Sequence, residues 1–104
     1  MSDPKTVTAA DVLACTDEDA AETLARRVPY GAVTAADVLA CRYEEAAAVL
    51  ARRVLDRSVT EADVVACEHE RAAMHLALRL PAGAIRKAWK ARHQARHEET
   101  VRNV

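Results

Sequence analysis

The nine residues VTAADVLAC occupy positions 7–15 and recur letter for letter at 33–41, and VTEADVVAC at 59–67 is a third version. The period is 26 residues, and Ile85 falls on the same phase as Val7, Val33 and Val59. A period of this size marks supersecondary units that cannot bury an apolar face alone and must stack to make a core. Nothing else in the chain constrains the fold as strongly. At 104 residues the chain is one domain, 1–104, divided into units 7–32, 33–58 and 59–84 with a distinct C-terminal segment.

The letters of one unit say what it builds. Thr8 is placed to cap a helix, with Asp11 three residues on to reach back to the Thr8 amide. Val7 and Val12 sit at the two positions of a hydrophobic staple. Thr34 with Asp37 and Thr60 with Asp63 repeat the pattern. A short helix of about two turns should follow, ending near the cysteine. The next stretch, TDEDAAETLARRV at 16–28, reads as a longer helix with Thr16 and Asp19 as a second capping box. Acids at its start and arginines at its end complement the helix dipole. Ala20, Ala21, Leu24 and Val28 mark its apolar stripe, matched by Ala46, Ala47, Leu50, Val54 and by Ala72, Ala73, Leu76, Leu80. Leu24, Leu50 and Leu76 are the expected core leucines. Turns follow at 28–32, 55–58 and 80–84, two of them carrying a glycine to stop the helix.

The fourth start breaks the rule, with Arg86 where Thr should cap and Trp89 where Asp should sit. Residues 81–100 therefore read as one long helix opened near Pro81, with Ile85, Ala88 and Trp89 turned inward to close the stack. The expectation is an all-α fold: three 26-residue helix-turn-helix repeats plus a long C-terminal helix. Composition agrees, since the chain has no Phe, 2 Gly and 3 Pro, and its core must come from small side chains. No apolar run reaches the roughly 20 residues a bilayer crossing needs, and the start carries no signal-peptide pattern, so a cytoplasmic protein is expected.

Within each unit, Cys15, Ala20, Leu24 and Gly31 keep a spacing that resembles helix-turn-helix and winged-helix proteins. Cys67, Ala72, Leu76 and Gly83 keep it too, while the second unit has Cys41, Ala46 and Leu50 with Arg57 at the glycine position. The resemblance implies a pair of helices and a DNA-binding role. The N-terminal turn of a recognition helix normally meets bases and phosphates. Here Asp17, Glu18 and Asp19 fill that turn in the first unit, and Glu44 and Glu45 in the second. Phosphates repel such turns, so the units are expected to act as scaffold.

Charge points to the C-terminal helix instead. Residues 1–80 hold 9 basic and 14 acidic side chains, whereas 81–104 hold 6 basic and 2 acidic. Arg86, Lys90, His93 and His97 fall at i, i+4, i+7 and i+11, one stripe on a helix, and Lys87, Arg92 and Arg96 widen it. Such a stripe suits phosphate neutralisation. Three cysteines, one per unit, read as buried thiols acting as small hydrophobes rather than as a disulfide framework. No metal site is expected, because His93 and His97 supply two corners and no third ligand is assured. There is no Gly-rich phosphate loop and no Ser-centred elbow, so neither catalysis nor a cofactor is expected. Arg27, Arg53 and Arg79 recur at one position, either as helix-end electrostatics or as an aligned ladder. The function expected is a small non-catalytic DNA-binding or regulatory protein. The alternative is a protein-interaction module, a short solenoid adaptor or inhibitor, and a homodimer suits either.

Overall fold

The computed structural model describes residues 7–55 and 58–102, with side chains placed through Glu98. Arg57, at the glycine position of the second unit, lies outside the described residues. The described chain is all-helical: α1 (Ala9–Leu13), α2 (Glu18–Ala25), α3 (Ala35–Ala40), α4 (Glu44–Ala51), α5 (Glu61–Ala66), α6 (Glu70–Ala77) and α7 (Ala82–Arg102). The short helices begin 26 residues apart, as do the eight-residue ones.

The cause of the short helices is visible at their first turns. Thr8, Thr34 and Thr60 each accept from the amide three residues on, and Asp11, Asp37 and Asp63 each accept from the threonine amide. These reciprocal bonds satisfy orphan donors at the helix start. The longer helices start differently. Asp17, not Thr16, caps α2, its carboxylate accepting from Ala20 at 2.9 Å. Tyr43 and His69 take the cap position of α4 and α6 without a side-chain hydrogen bond.

Packing follows two layers. α1, α3, α5 and α7 touch in that order, and α2, α4 and α6 touch in theirs, while each short helix also packs on the long helix that follows it. The molecule is 15 Å thick across its Cα positions and 51 Å long. The core runs the whole length as valines and alanines, with Leu50 and Leu76 the largest side chains fully buried. Leu24, expected to match them, is only half-buried and packs at the edge of the core. Gly31 ends the turn after α2 at φ +87, a left-handed conformation that favours glycine. Its amide donates to Arg53 O at 2.7 Å, and Val33 bridges Val54 in parallel beside it. Gly83 does not stop α6 as expected, because it lies inside the first turn of α7. No helix among the described residues is long and apolar enough to cross a membrane.

Candidate nucleic-acid interface

With 21 residues, α7 is about 31 Å long at 1.5 Å per residue. One side of it is fixed by packing on α5 and α6. Ala88 is fully buried there, and Ile85 and Trp89 are half-buried against the core. Arg92 and Arg96 share that phase, each one turn beyond the last, so the helix carries them inward.

The inward arginines meet a carbonyl that needs donors. Cys67 ends α5 with extended backbone, φ −70 and ψ 124, which directs its carbonyl out of the helix ladder. Arg92 donates to Cys67 O from Nε at 3.2 Å and Nη2 at 3.1 Å. Arg96 donates to the same oxygen from Nη2 at 2.8 Å. Arg92 is 5 % exposed, and its guanidinium also lies 5.4 Å from the Trp89 ring centroid. Burying a charged guanidinium is tolerated only where acceptors and an aromatic face replace water. The sequence reading grouped Arg92 and Arg96 with the phosphate-facing residues. The structure turns both toward the stack, where they tie α7 to α5.

The same device joins the earlier units. Arg42 donates to Cys15 O at 3.3 Å, and His69 donates from Nε2 to Cys41 O at 2.9 Å. At the other end of the long helices, Arg53 donates to Val28 O at 2.8 Å and Arg26 O at 3.1 Å, and Arg79 to Arg52 O at 2.5 Å. The arginine recurring at 53 and 79 is thus a clip to the preceding unit, not part of an open ridge.

Outward, α7 presents Arg86, Lys87, Lys90, His93 and His97, all exposed. Arg86, Lys90, His93 and His97 form one continuous stripe about a third of a turn round the helix from the α5 contact, and Lys87 lies on the side facing away from it. His93 also meets the Trp89 ring edge to face, centroids 5.1 Å apart. The first carboxylate along the α7 sequence is Glu98, which accepts from Gln94 at 3.4 Å. Helix starts elsewhere are unsuited to phosphate. Asp17, Glu18 and Asp19 are exposed at the start of α2, and α4 is buried from Ala46 to Ala51 between its neighbours.

The cysteines take a structural place. Cys41 and Cys67 are buried free thiols and Cys15 is half-buried. Burial pushes the Cys41 and Cys67 thiols above their ordinary range, against smaller opposing effects from nearby arginines and backbone hydrogen bonds. A protonated, enclosed thiol is a poor nucleophile. Among the described residues no group of three or more His, Cys, Asp or Glu side chains is placed to hold a metal ion.

Sequence reasoning missed one surface feature. Met74 and Leu78 stand exposed on α6 at positions where α2 has Glu22 and Arg26 and α4 has Ala48 and Arg52. The 26-residue alignment carried that signal. No protein-family model, curated protein or solved structure matches this chain.

Proposed function

We propose that this chain is a small non-catalytic nucleic-acid-binding protein whose outward α7 face contacts backbone phosphates. In this reading three helix-turn-helix-like pairs are the scaffold, and no pair inserts its second helix into a groove. The observation that carries it is the division of α7 itself. Arg92 and Arg96 anchor the helix through Cys67 O, leaving Arg86, Lys87, Lys90, His93 and His97 as an exposed basic face on a rigid rod. A straight, firmly seated helix holds cations in fixed register along a duplex, and each phosphate neutralised releases counterions. Contacts of this kind position a protein on a duplex and carry little sequence information. The acidic starts of α2 and α4 add to the polarity, keeping phosphate at the α7 end of the stack.

The test is fluorescence anisotropy of a labelled random duplex at several salt concentrations. The comparison protein carries Arg86→Gln, Lys87→Gln and Lys90→Gln, with Arg92 and Arg96 retained because they hold the fold. Binding should weaken with salt, and the triple variant should lower the log–log salt slope by up to about 3. Equal binding by the two proteins, or none at low salt, would remove α7 as a phosphate-binding element.

A further inference from the structure

The two ends of the stack are finished differently. At the C-terminal end α7 packs along α5, and Val64, Cys67 and Ala88 are fully buried. At the N-terminal end, among the described residues, no unit precedes α1 and α2. There Ala20 is exposed, and Leu24 and Cys15 are half-buried. At the same positions of the later units Ala46, Ala72, Leu50, Leu76 and Cys67 are fully buried and Cys41 is nearly so. Thr23 is exposed where α4 has the buried Val49. Arg27 holds the position from which Arg53 reaches back to Val28 O of the preceding unit. In a repeat array such a side is ordinarily covered by a neighbouring unit or by a polar cap.

The ends also carry opposite charge. Residues 7–32 hold five carboxylates against two arginines, residues 33–58 hold four of each, and residues 59–84 hold four carboxylates against two arginines. Residues 85–102 hold six cations against two carboxylates. Even with the acids of the third unit behind α7, residues 59–102 keep eight cations against six carboxylates. Arg86, Lys87 and Lys90 are the exposed cations of the first half of α7, and Gln94 and Glu98 follow toward its C-terminal end. We infer that the open side of the first unit, around Ala20, Thr23 and Leu24, docks on the first half of α7 in a second copy of this chain. The aliphatic stems of Arg86, Lys87 and Lys90 cover the alanine and leucine, as long charged side chains do on apolar surface. Their charged heads meet the acids at the start of α2, and complementary charge sets the orientation. The sense of the stack agrees, because the first-layer order α1, α3, α5, α7 continues into α1 of the next copy. Nucleic acid does not suit the first unit, whose carboxylates repel phosphate. The contact joins two different surfaces, so it builds a row of copies rather than a closed pair. It draws on the same α7 cations as the nucleic-acid reading but does not rest on it.

The test is sedimentation velocity of the full chain over a range of concentrations, in low salt and in high salt. Mass should grow with concentration in low salt and return to that of the monomer in high salt, where the screening length falls to about 3 Å at 1 M. Two variants divide the contact. Asp19→Lys with Thr23→Lys alters the first unit at exposed positions, and Arg86→Gln, Lys87→Gln and Lys90→Gln alter α7. Melting curves like that of the parent establish that both fold. Each variant alone should associate at least about tenfold more weakly, as loss or reversal of charge complementarity requires. Mixed in equal amounts, the two should form a one-to-one pair that grows no further, because each keeps one intact surface. The first-unit variant should bind duplex DNA no more weakly than the parent. A monomer at every concentration in low salt, association that persists unchanged in high salt, or variants that associate as the parent does would overturn the inference. So would a mixture no larger than its parts, which would assign any self-association to a two-fold contact. Absence of duplex binding in the anisotropy experiment leaves these outcomes unchanged, so the two readings fall separately.

Discussion

Helices α2 and α4 agree at five of eight positions, EDAAETLA against EEAAAVLA, and differ sharply in burial. Ala46 and Leu50 in α4 are fully buried, while their counterparts Ala20 and Leu24 in α2 are exposed and half-buried. The difference is position in the stack. α4 has α2 on one side and α6 on the other; α2 packs against α4 alone within that layer. The sequence has adjusted to this, with Ala48 and Val49 in the enclosed helix where α2 has Glu22 and Thr23. A repeated motif therefore specifies a shape, and its neighbours decide which faces of that shape become core.

The largest effect should come from breaking the two helices at the same position. Leu50→Ala should cost ~2–5 kcal/mol, because a fully buried leucine leaves a cavity as well as losing its transfer energy. Leu24→Ala should cost on the order of half that, since water already reaches part of the side chain. Urea denaturation of both variants measures the difference. Equal losses would mean that place in the stack does not set the contribution of a repeated residue.

The seam between α2 and α4 offers the next test. Arg53 donates to Val28 O, Arg26 O and Val49 O, so one side chain serves the carbonyls ending α2 and one of its own helix. Arg53→Met keeps the aliphatic stem and removes the donors. A loss of roughly 1–3 kcal/mol is expected, typical of charge-assisted hydrogen bonds to carbonyls left without a partner. Arg86→Met on the exposed side of α7 should stay within about 0.5 kcal/mol, as surface changes do. Thermal melts of the two variants side by side make the contrast. Similar melting temperatures would show that the clips between units contribute no more than a surface charge.

How far these features were legible depended on whether their physics was local. The short helices announced themselves because Thr and Asp three residues apart satisfy each other's backbone without outside help. The length of α7 was legible for the converse reason, since Arg86 and Trp89 replaced the capping pair. The start of α2 was misread by one residue, because Thr16 and Asp17 both offer cap oxygens and only the backbone path chooses between them. The direction of Arg92 and Arg96 was harder. Charge suggests solvent, yet both follow Ala88 at i+4 and i+8 on the buried stripe. The carbonyl they serve belongs to Cys67, 25 and 29 residues away. Only the fold brings that acceptor within reach. The exposed pair Met74 and Leu78 was legible in principle, as a departure from Glu22 and Arg26 one and two periods earlier.

The smallest effects compare the turn that connects α2 to α3 with the first turn of α7, through their glycines. Gly31 holds φ +87, so an alanine there meets the left-handed penalty of about 1–2 kcal/mol. An added Cβ would touch Leu55 Cδ2 at 3.4 Å, close to an ordinary contact, so the cost is one of backbone. Gly83 sits in helical backbone, and an added Cβ would meet nothing within 4 Å. Gly83→Ala should therefore stabilise, by about 0.5–1 kcal/mol, because alanine loses less chain entropy on entering a helix. The two changes are chemically identical and opposite in sign. The cause lies in what each segment does for its neighbours: the 29–32 turn must present the Gly31 amide to Arg53 O across the α2–α4 seam, whereas α7 need only continue as a helix. Denaturation midpoints moving in the same direction for both variants would mean that the turn tolerates an ordinary residue, and that the seam does not depend on it.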